Sequence, residues 1–237
     1  MSYLSSPGKT ICIVCNERIF NKEMEVIYEG LGICKICNNE LMPIPKNSPF
    51  EGTPSIDFIL SAYYYNDVLK NLMHRYKFAY EQRFGKLFGH LLHENIKEVP
   101  VLYEYDFITA VPLHRKRILQ RSFNQSELLA RQLSEKCQIP YLPCVYRCKR
   151  TRAQSSLKSR SSRLSNTANA FFADKTRVAG KNILLVDDIF TTGSTMESCA
   201  AELKDKGASS VIGITFAKTP KKSKKHGFGE NFWFKMQ

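Results

Sequence analysis

Ile183-Leu184-Leu185-Val186-Asp187-Asp188-Ile189-Phe190-Thr191-Thr192-Gly193-Ser194-Thr195 is the stretch that decides how this chain folds. Its apolar run predicts a strand buried on both faces, as in a parallel sheet. Two adjacent carboxylates follow, then a loop of small hydroxyl-bearing residues with one glycine, then a helical pattern. Such a loop lets backbone N–H groups close on a phosphate at the start of the next helix. Open α/β sheets place ligands at the carboxyl ends of their strands, where Asp187 and Asp188 would stand. Two groups that only accept hydrogen bonds suit a vicinal diol. Carboxylates for a ribose, with amides and hydroxyls for its phosphate, make a sugar-phosphate site.

The stretch resembles the motif with which type I phosphoribosyltransferases bind phosphoribosyl pyrophosphate (PRPP). The resemblance implies that Asp187 and Asp188 hold the ribose hydroxyls. It implies that Thr191, Thr192, Gly193, Ser194 and Thr195 cradle the 5-phosphate. Phe190 is bulkier than the aliphatic residue usual at its position.

A chain of 237 residues with 43% hydrophobic content has room for one good core and a small accessory module. There is no run of eighteen apolar residues, so no membrane span is expected. Met1 to Lys9 lack the pattern of a signal peptide, and a cytoplasmic location is the expectation. The net charge of +13 is concentrated: residues 111–180 hold fifteen Lys and Arg against three Asp and Glu. A field of that kind attracts phosphates, of a small ligand or of a nucleic acid.

Cys12-x-x-Cys15 and Cys34-x-x-Cys37 stand eighteen residues apart. Two such knuckles fit one tetrahedral Zn²⁺ with four thiolates, as in zinc ribbons. Met24, Val26, Ile27 and Tyr28 between them can supply a hairpin. A module of this size buries little core, so the metal would carry much of its folding free energy. Disulfides and redox thiols are the rival uses, and a cytoplasmic setting argues against the first. A structural or docking role is expected. Cys137, Cys144, Cys148 and Cys199 form no clean second site.

Pro43 to Pro54 reads as a linker. Ile56 to Tyr65 then predicts a strand, and Val68, Leu69, Leu72, Met73 and Tyr76 a helix that carries Lys70, His74, Arg75 and Lys77. Leu87, Phe88, Leu91 and Leu92 mark a second helix, and Phe107 to Val111 a strand that stops at Pro112. A basic loop follows, with Leu113, His114, Arg115, Lys116 and Arg121, ahead of a helix expected to start near Ser122. Cations in a loop after a parallel strand, with helix-start amides, suit a pyrophosphate. Arg147, Lys149, Arg150, Arg152, Lys158, Arg160 and Arg163 form a second basic stretch among serines, without apolar periodicity. It suits a flap over a phosphorylated sugar or a track for a nucleic-acid backbone. Leu164 to Asp174 returns to a strand.

The whole pattern is similar to the ComF family, of ComFC type, from bacterial natural competence. The resemblance rests on the two cysteine knuckles; His74-Arg75-Tyr76-Lys77-Phe78; Val111-Pro112-Leu113-His114 with Arg121-Ser122-Phe123-Asn124-Gln125; Gln154-x-x-Leu157 with Arg163-x-x-Asn166; and the acidic motif. It implies an α/β type I phosphoribosyltransferase fold, with an open, mostly parallel sheet flanked by helices, joined to a small N-terminal zinc-ribbon module. The expected domains are a zinc module over 1–42, a linker over 43–54, a phosphoribosyltransferase-like domain over 55–218 and a basic and aromatic tail over 219–237. The implied ligands are structural Zn²⁺ on Cys12, Cys15, Cys34 and Cys37, and PRPP with Mg²⁺. Single-stranded DNA would lie along Arg150, Arg152, Lys158, Arg160 and Arg163, and a helicase-like competence protein is the implied partner. The alternative is an active phosphoribosyltransferase of nucleotide metabolism. The family usually has glycine where Ser122 stands, so the loop geometry is expected to shift there.

Overall fold

The computed structural model describes residues 10–19, 24–28, 31–46, 48, 51–78, 83–148 and 170–220. The described part of the cysteine module contains β1 (Thr10–Ile11), β2 (Arg18–Ile19), β3 (Met24–Tyr28), β4 (Leu31–Cys34) and α1 (Lys35–Glu40). β1 pairs with β2 and β3 with β4, both antiparallel. The expected hairpin between the knuckles is the β3–β4 pair.

β5 (Glu51–Thr53) and β6 (Ile56–Tyr64) lead into α2 (Asp67–Phe78) and α3 (Arg83–Ile96). β7 (Phe107–Ala110), α4 (Arg115–Arg121), α5 (Gln125–Cys137) and β8 (Val145–Arg147) follow. β9 (Phe171–Ala173), α6 (Lys175–Val178), β10 (Asn182–Phe190), α7 (Ser194–Asp205) and β11 (Ser210–Lys218) complete the described chain.

Five strands form the main sheet in the order β5-β6-β11-β10-β7. β6, β11, β10 and β7 run parallel, and β5 pairs antiparallel with β6. β10 lies between β11 and β7, with Leu184 opposite Ile212 on one side and Ile108 on the other. Its side chains alternate between two cores. Leu184 and Val186 join α2, α3 and α5 in one, while Ile183 and Leu185 join α7, β8 and β9 in the other. All four are at most 1% exposed, which is why that run is apolar at every position.

The stretch expected as a linker is tied to the sheet. Pro43 bridges Tyr63, Ile44 N–H donates to the Ala62 carbonyl at 2.9 Å, and β5 lies on β6. Ser55 Oγ donates to Glu197 of α7 at 2.8 Å and so links this edge to the helix that opens the acidic motif's loop.

A second departure from the sequence expectation follows β7. The helix expected near Ser122 starts at Gln125, and the basic loop before it is itself helical as α4. Ser122 closes α4 in the left-handed region, with φ 65°. A glycine adopts that conformation without the cost a β-carbon brings, which accounts for the residue usual there. Asn124, not Ser122, caps α5 by accepting from Ser126 N–H at 3.2 Å. Its amide also donates to the Val111 carbonyl at 3.1 Å, fixing α5 against the end of β7.

Candidate functional site

The carboxyl ends of β7 and β10 open into a cavity of ≈ 420 Å³. Asp187 and Asp188 stand on its wall. Asp187 Oδ1 accepts from Ser126 Oγ on α5 at 2.8 Å and from Asp188 N–H at 2.9 Å. Asp188 Oδ1 accepts from Ile189 N–H at 2.7 Å, and its Oδ2 pairs with Lys77 Nζ of α2 at 2.5 Å. Burial, and then the neighbouring charge of Asp188, push the Asp187 carboxyl up to about 7; Ser126 and Lys77 only partly oppose this. Asp187 is thus poised between holding a proton and accepting hydrogen bonds near neutral pH.

The loop after β10 turns on Gly193, which caps α7 with φ +73°. A β-carbon there would stand 2.5 Å from Cζ of the Phe190 ring. The unusual bulk of Phe190 therefore leans directly on the glycine. Thr191, Gly193, Ser194 and Thr195 line the cavity, with the twelve-residue α7 beginning at Ser194. Thr192 faces away, toward a separate cavity of ≈ 730 Å³ beside Tyr64 and Lys218, while its hydroxyl meets Ser194 Oγ at 2.9 Å. Open N–H groups at a helix start attract an anion.

The cationic wall differs in part from the sequence expectation. Leu113 and Arg121 line the cavity. His114 instead caps α4 by accepting from Lys116 N–H at 3.2 Å, and the Lys116 side chain is exposed outside the cavity lining. The Arg115 side chain lies outside the described residues. Arg117, Lys77 and Arg147 line the cavity, though none belonged to the expected site. The helical phase of α4 selects Arg117 over its neighbour. Lys77 and Arg147 come from distant elements, and only their place in basic patches marked them. Burial disfavours the charged forms of Arg121 and Arg147, with Asp188 and Asp187 respectively working against that. Gln125 accepts from Arg121 at 3.2 Å, while its own buried Nε2 has no hydrogen-bond partner among the described residues. Among the described residues, Lys77, Arg117, Arg121 and Arg147 share the cavity lining with two carboxylates, so the site is matched to an anion.

The sulfur atoms of Cys12, Cys15, Cys34 and Cys37 all lie within 4.8 Å of one another. Cys34 N–H points at Cys12 Sγ, 3.4 Å away, and Cys37 N–H at Cys34 Sγ, 3.5 Å away. Burial pushes the Cys12 thiol up, but backbone N–H groups of Cys34, Cys15 and Val14 outweigh it and bring it down to about 7. Burial and the neighbouring thiols push Cys37 up. Four crowded sulfurs cannot all ionise without a cation among them, and this donor set fits Zn²⁺. α2 connects this cluster with the cavity: Arg75 donates to the Ile13 carbonyl, and Lys77 reaches Asp188. Arg150, Arg152, Lys158, Arg160 and Arg163 lie outside the described residues.

The sequence pattern of the phosphoribosyl transferase domain matches residues 118–237, just over half of the chain, and the chain belongs to that family. Competence protein ComFC of Streptococcus pneumoniae is 37% identical over 147 residues, which span 62% of each chain and so less than two thirds of that relative. DNA utilization protein YhgH of Escherichia coli is 29% identical over 232 residues, covering 88% of this chain and 96% of that one. Within the phosphoribosyl transferase class, the chain is similar to proteins named ComFC, competence protein F and YhgH. Among solved structures, glutamine PRPP amidotransferase from B. subtilis matches 57% of this chain and 26% of its own, with 22% identity and a TM-score of 0.36. The fold assignment rests on the strand order and the family pattern. Among the described residues, no helix is long and apolar enough to cross a membrane.

Proposed function

We propose that this protein binds PRPP with Mg²⁺ and acts in natural transformation, handling imported single-stranded DNA in the cytoplasm beside a helicase-like partner. One observation carries the reading: an acidic pair and a helix-start loop open to the same cavity, whose remaining wall is cationic. Asp187 and Asp188 accept the ribose hydroxyls. The N–H groups of the loop, with the hydroxyls of Thr191, Ser194 and Thr195, take the 5-phosphate. Arg117, Arg121 and Arg147 face the pyrophosphate, and Gln125 Nε2 is the spare donor beside them. Mg²⁺, held largely by the ligand's own oxygens and water, would offset the remaining negative charge. Lys77 neutralises Asp188 until ribose hydroxyls compete for it. The names of the two relatives support the DNA role, as does the basic run over residues 149–163. Zn²⁺ on the four cysteines is structural.

The Asp187→Ala/Asp188→Ala variant tests the ribose assignment by calorimetric titration with Mg²⁺-PRPP. The expected result is loss of binding with an unchanged circular dichroism spectrum. Unaltered affinity would overturn the assignment.

A further inference from the structure

We propose that Tyr146 and Phe172 form a stacking platform for the bases of single-stranded nucleic acid, a proposal that rests on the DNA-handling reading above. β8 and β9 make a two-stranded antiparallel ribbon in which Tyr146 stands directly opposite Phe172. Alternation sends Val145, Phe171 and Ala173 into the core, and Arg147 to the cavity wall. The same alternation turns both rings outward, 45% and 52% exposed. Directly opposed residues in such a ribbon lie about 5 Å apart at their β-carbons, so both rings stand on one outward face. Solvated faces of antiparallel ribbons are ordinarily polar.

The platform is held in place. Tyr146 Oη donates to the Pro143 carbonyl at 3.1 Å, and Arg177 donates to the same carbonyl at 3.1 Å. The mouth of the ribbon is closed where Cys148 N–H donates to the Ala170 carbonyl at 2.9 Å.

Charge identifies the occupant. Residues 149–169 join the two strands and contain six Lys and Arg and no Asp or Glu. A protein partner's apolar patch would match the rings but not this excess. Aromatic faces on a ribbon whose connecting sequence is this basic suit unpaired bases on a phosphate backbone, and stacking accepts any base. In duplex DNA the base faces are covered by their neighbours, so the platform selects single strands. Arg147, on the opposite face of the same ribbon, faces the PRPP cavity. A single element therefore meets both ligands.

The test is fluorescence anisotropy with labelled oligo(dT) and with a duplex of equal length, at several salt concentrations. The proteins are the wild type, Tyr146→Ala/Phe172→Ala, Tyr146→Leu/Phe172→Leu, and Arg150→Ala/Arg152→Ala/Arg160→Ala/Arg163→Ala. The paired Ala and paired Leu variants should each weaken oligo(dT) binding about tenfold or more. Their salt slope, their duplex affinity and their Mg²⁺-PRPP affinity should stay unchanged. The Leu pair keeps apolar bulk without π faces, so it separates stacking from folding and from simple hydrophobic cover. The arginine variant should instead flatten the salt slope. Wild-type affinity in the Leu pair would overturn the platform while leaving the DNA reading intact. A wild type that does not bind oligo(dT) would overturn both.

Discussion

Gly193→Ala tests whether the phosphate loop depends on one backbone conformation and one close contact. The left-handed region costs a residue with a β-carbon about 1–2 kcal/mol. The new methyl would also stand 2.5 Å from Cζ and 2.6 Å from Cε2 of Phe190. That ring packs on the core shared with α7, and the backbone carbonyl of Phe190 is held by Thr219 N–H at 2.9 Å. It cannot swing aside freely, and overpacking of this kind costs about 1–3 kcal/mol. Together the loss is about 3 kcal/mol, or roughly 6–12 °C in Tm at about 2–4 °C per kcal/mol for a chain of this size. Thermal denaturation and Mg²⁺-PRPP titration would be run on Gly193→Ala, Phe190→Leu and the double variant. The double variant should recover the steric share and keep the conformational share, about 1–2 kcal/mol. If Gly193→Ala costs as much in the Phe190→Leu background as in the wild type, the steric argument is refuted. No loss of Tm or affinity in Gly193→Ala would refute the loop's assigned role.

Two further outcomes follow from titratable groups. The Asp187 carboxyl is raised to about 7, above its unfolded value of about 3.9, so the folded state holds that proton more tightly. Its contribution to stability is complete below about pH 4 and is lost as pH rises to about 7. PRPP affinity should run the other way and increase through neutrality as the carboxylate becomes available. Equilibrium unfolding and PRPP titration between about pH 5 and 8 should show both slopes, and Asp187→Asn should flatten both. Identical slopes in that variant would assign them elsewhere. Metal analysis should find one Zn per chain, released by Cys12→Ser together with a lower Tm. A metal-free protein with an unchanged unfolding transition would remove the ribbon.

What the sequence revealed divides by range. β10, its acidic end and the Gly193 loop were readable because strand, carboxylates and helix start are consecutive residues. The cysteine cluster was readable because metal geometry imposes its own spacing. α4 was missed because its apolar pair does not mark a buried face: Ile118 is 38% and Leu119 82% exposed. Without that face there is no periodicity to find. Mistaking a helix for a loop also misassigned its cations, so Lys116 was expected where Arg117 stands. Lys77 and Arg147 reach Asp188 and the cavity through tertiary packing, which no local pattern encodes. β5 was hidden in a Pro/Gly-rich stretch because its strand character comes from pairing with β6.

The most direct test of the proposed role is calorimetric titration of Mg²⁺-PRPP with and without oligo(dT), with pyrophosphate release followed on the same samples. The account predicts one PRPP bound per chain, no release, and an affinity that changes when DNA is present, with the reciprocal change in DNA affinity. Absence of PRPP binding would contradict it, and pyrophosphate release on adding a nucleobase would make the protein a transferase instead.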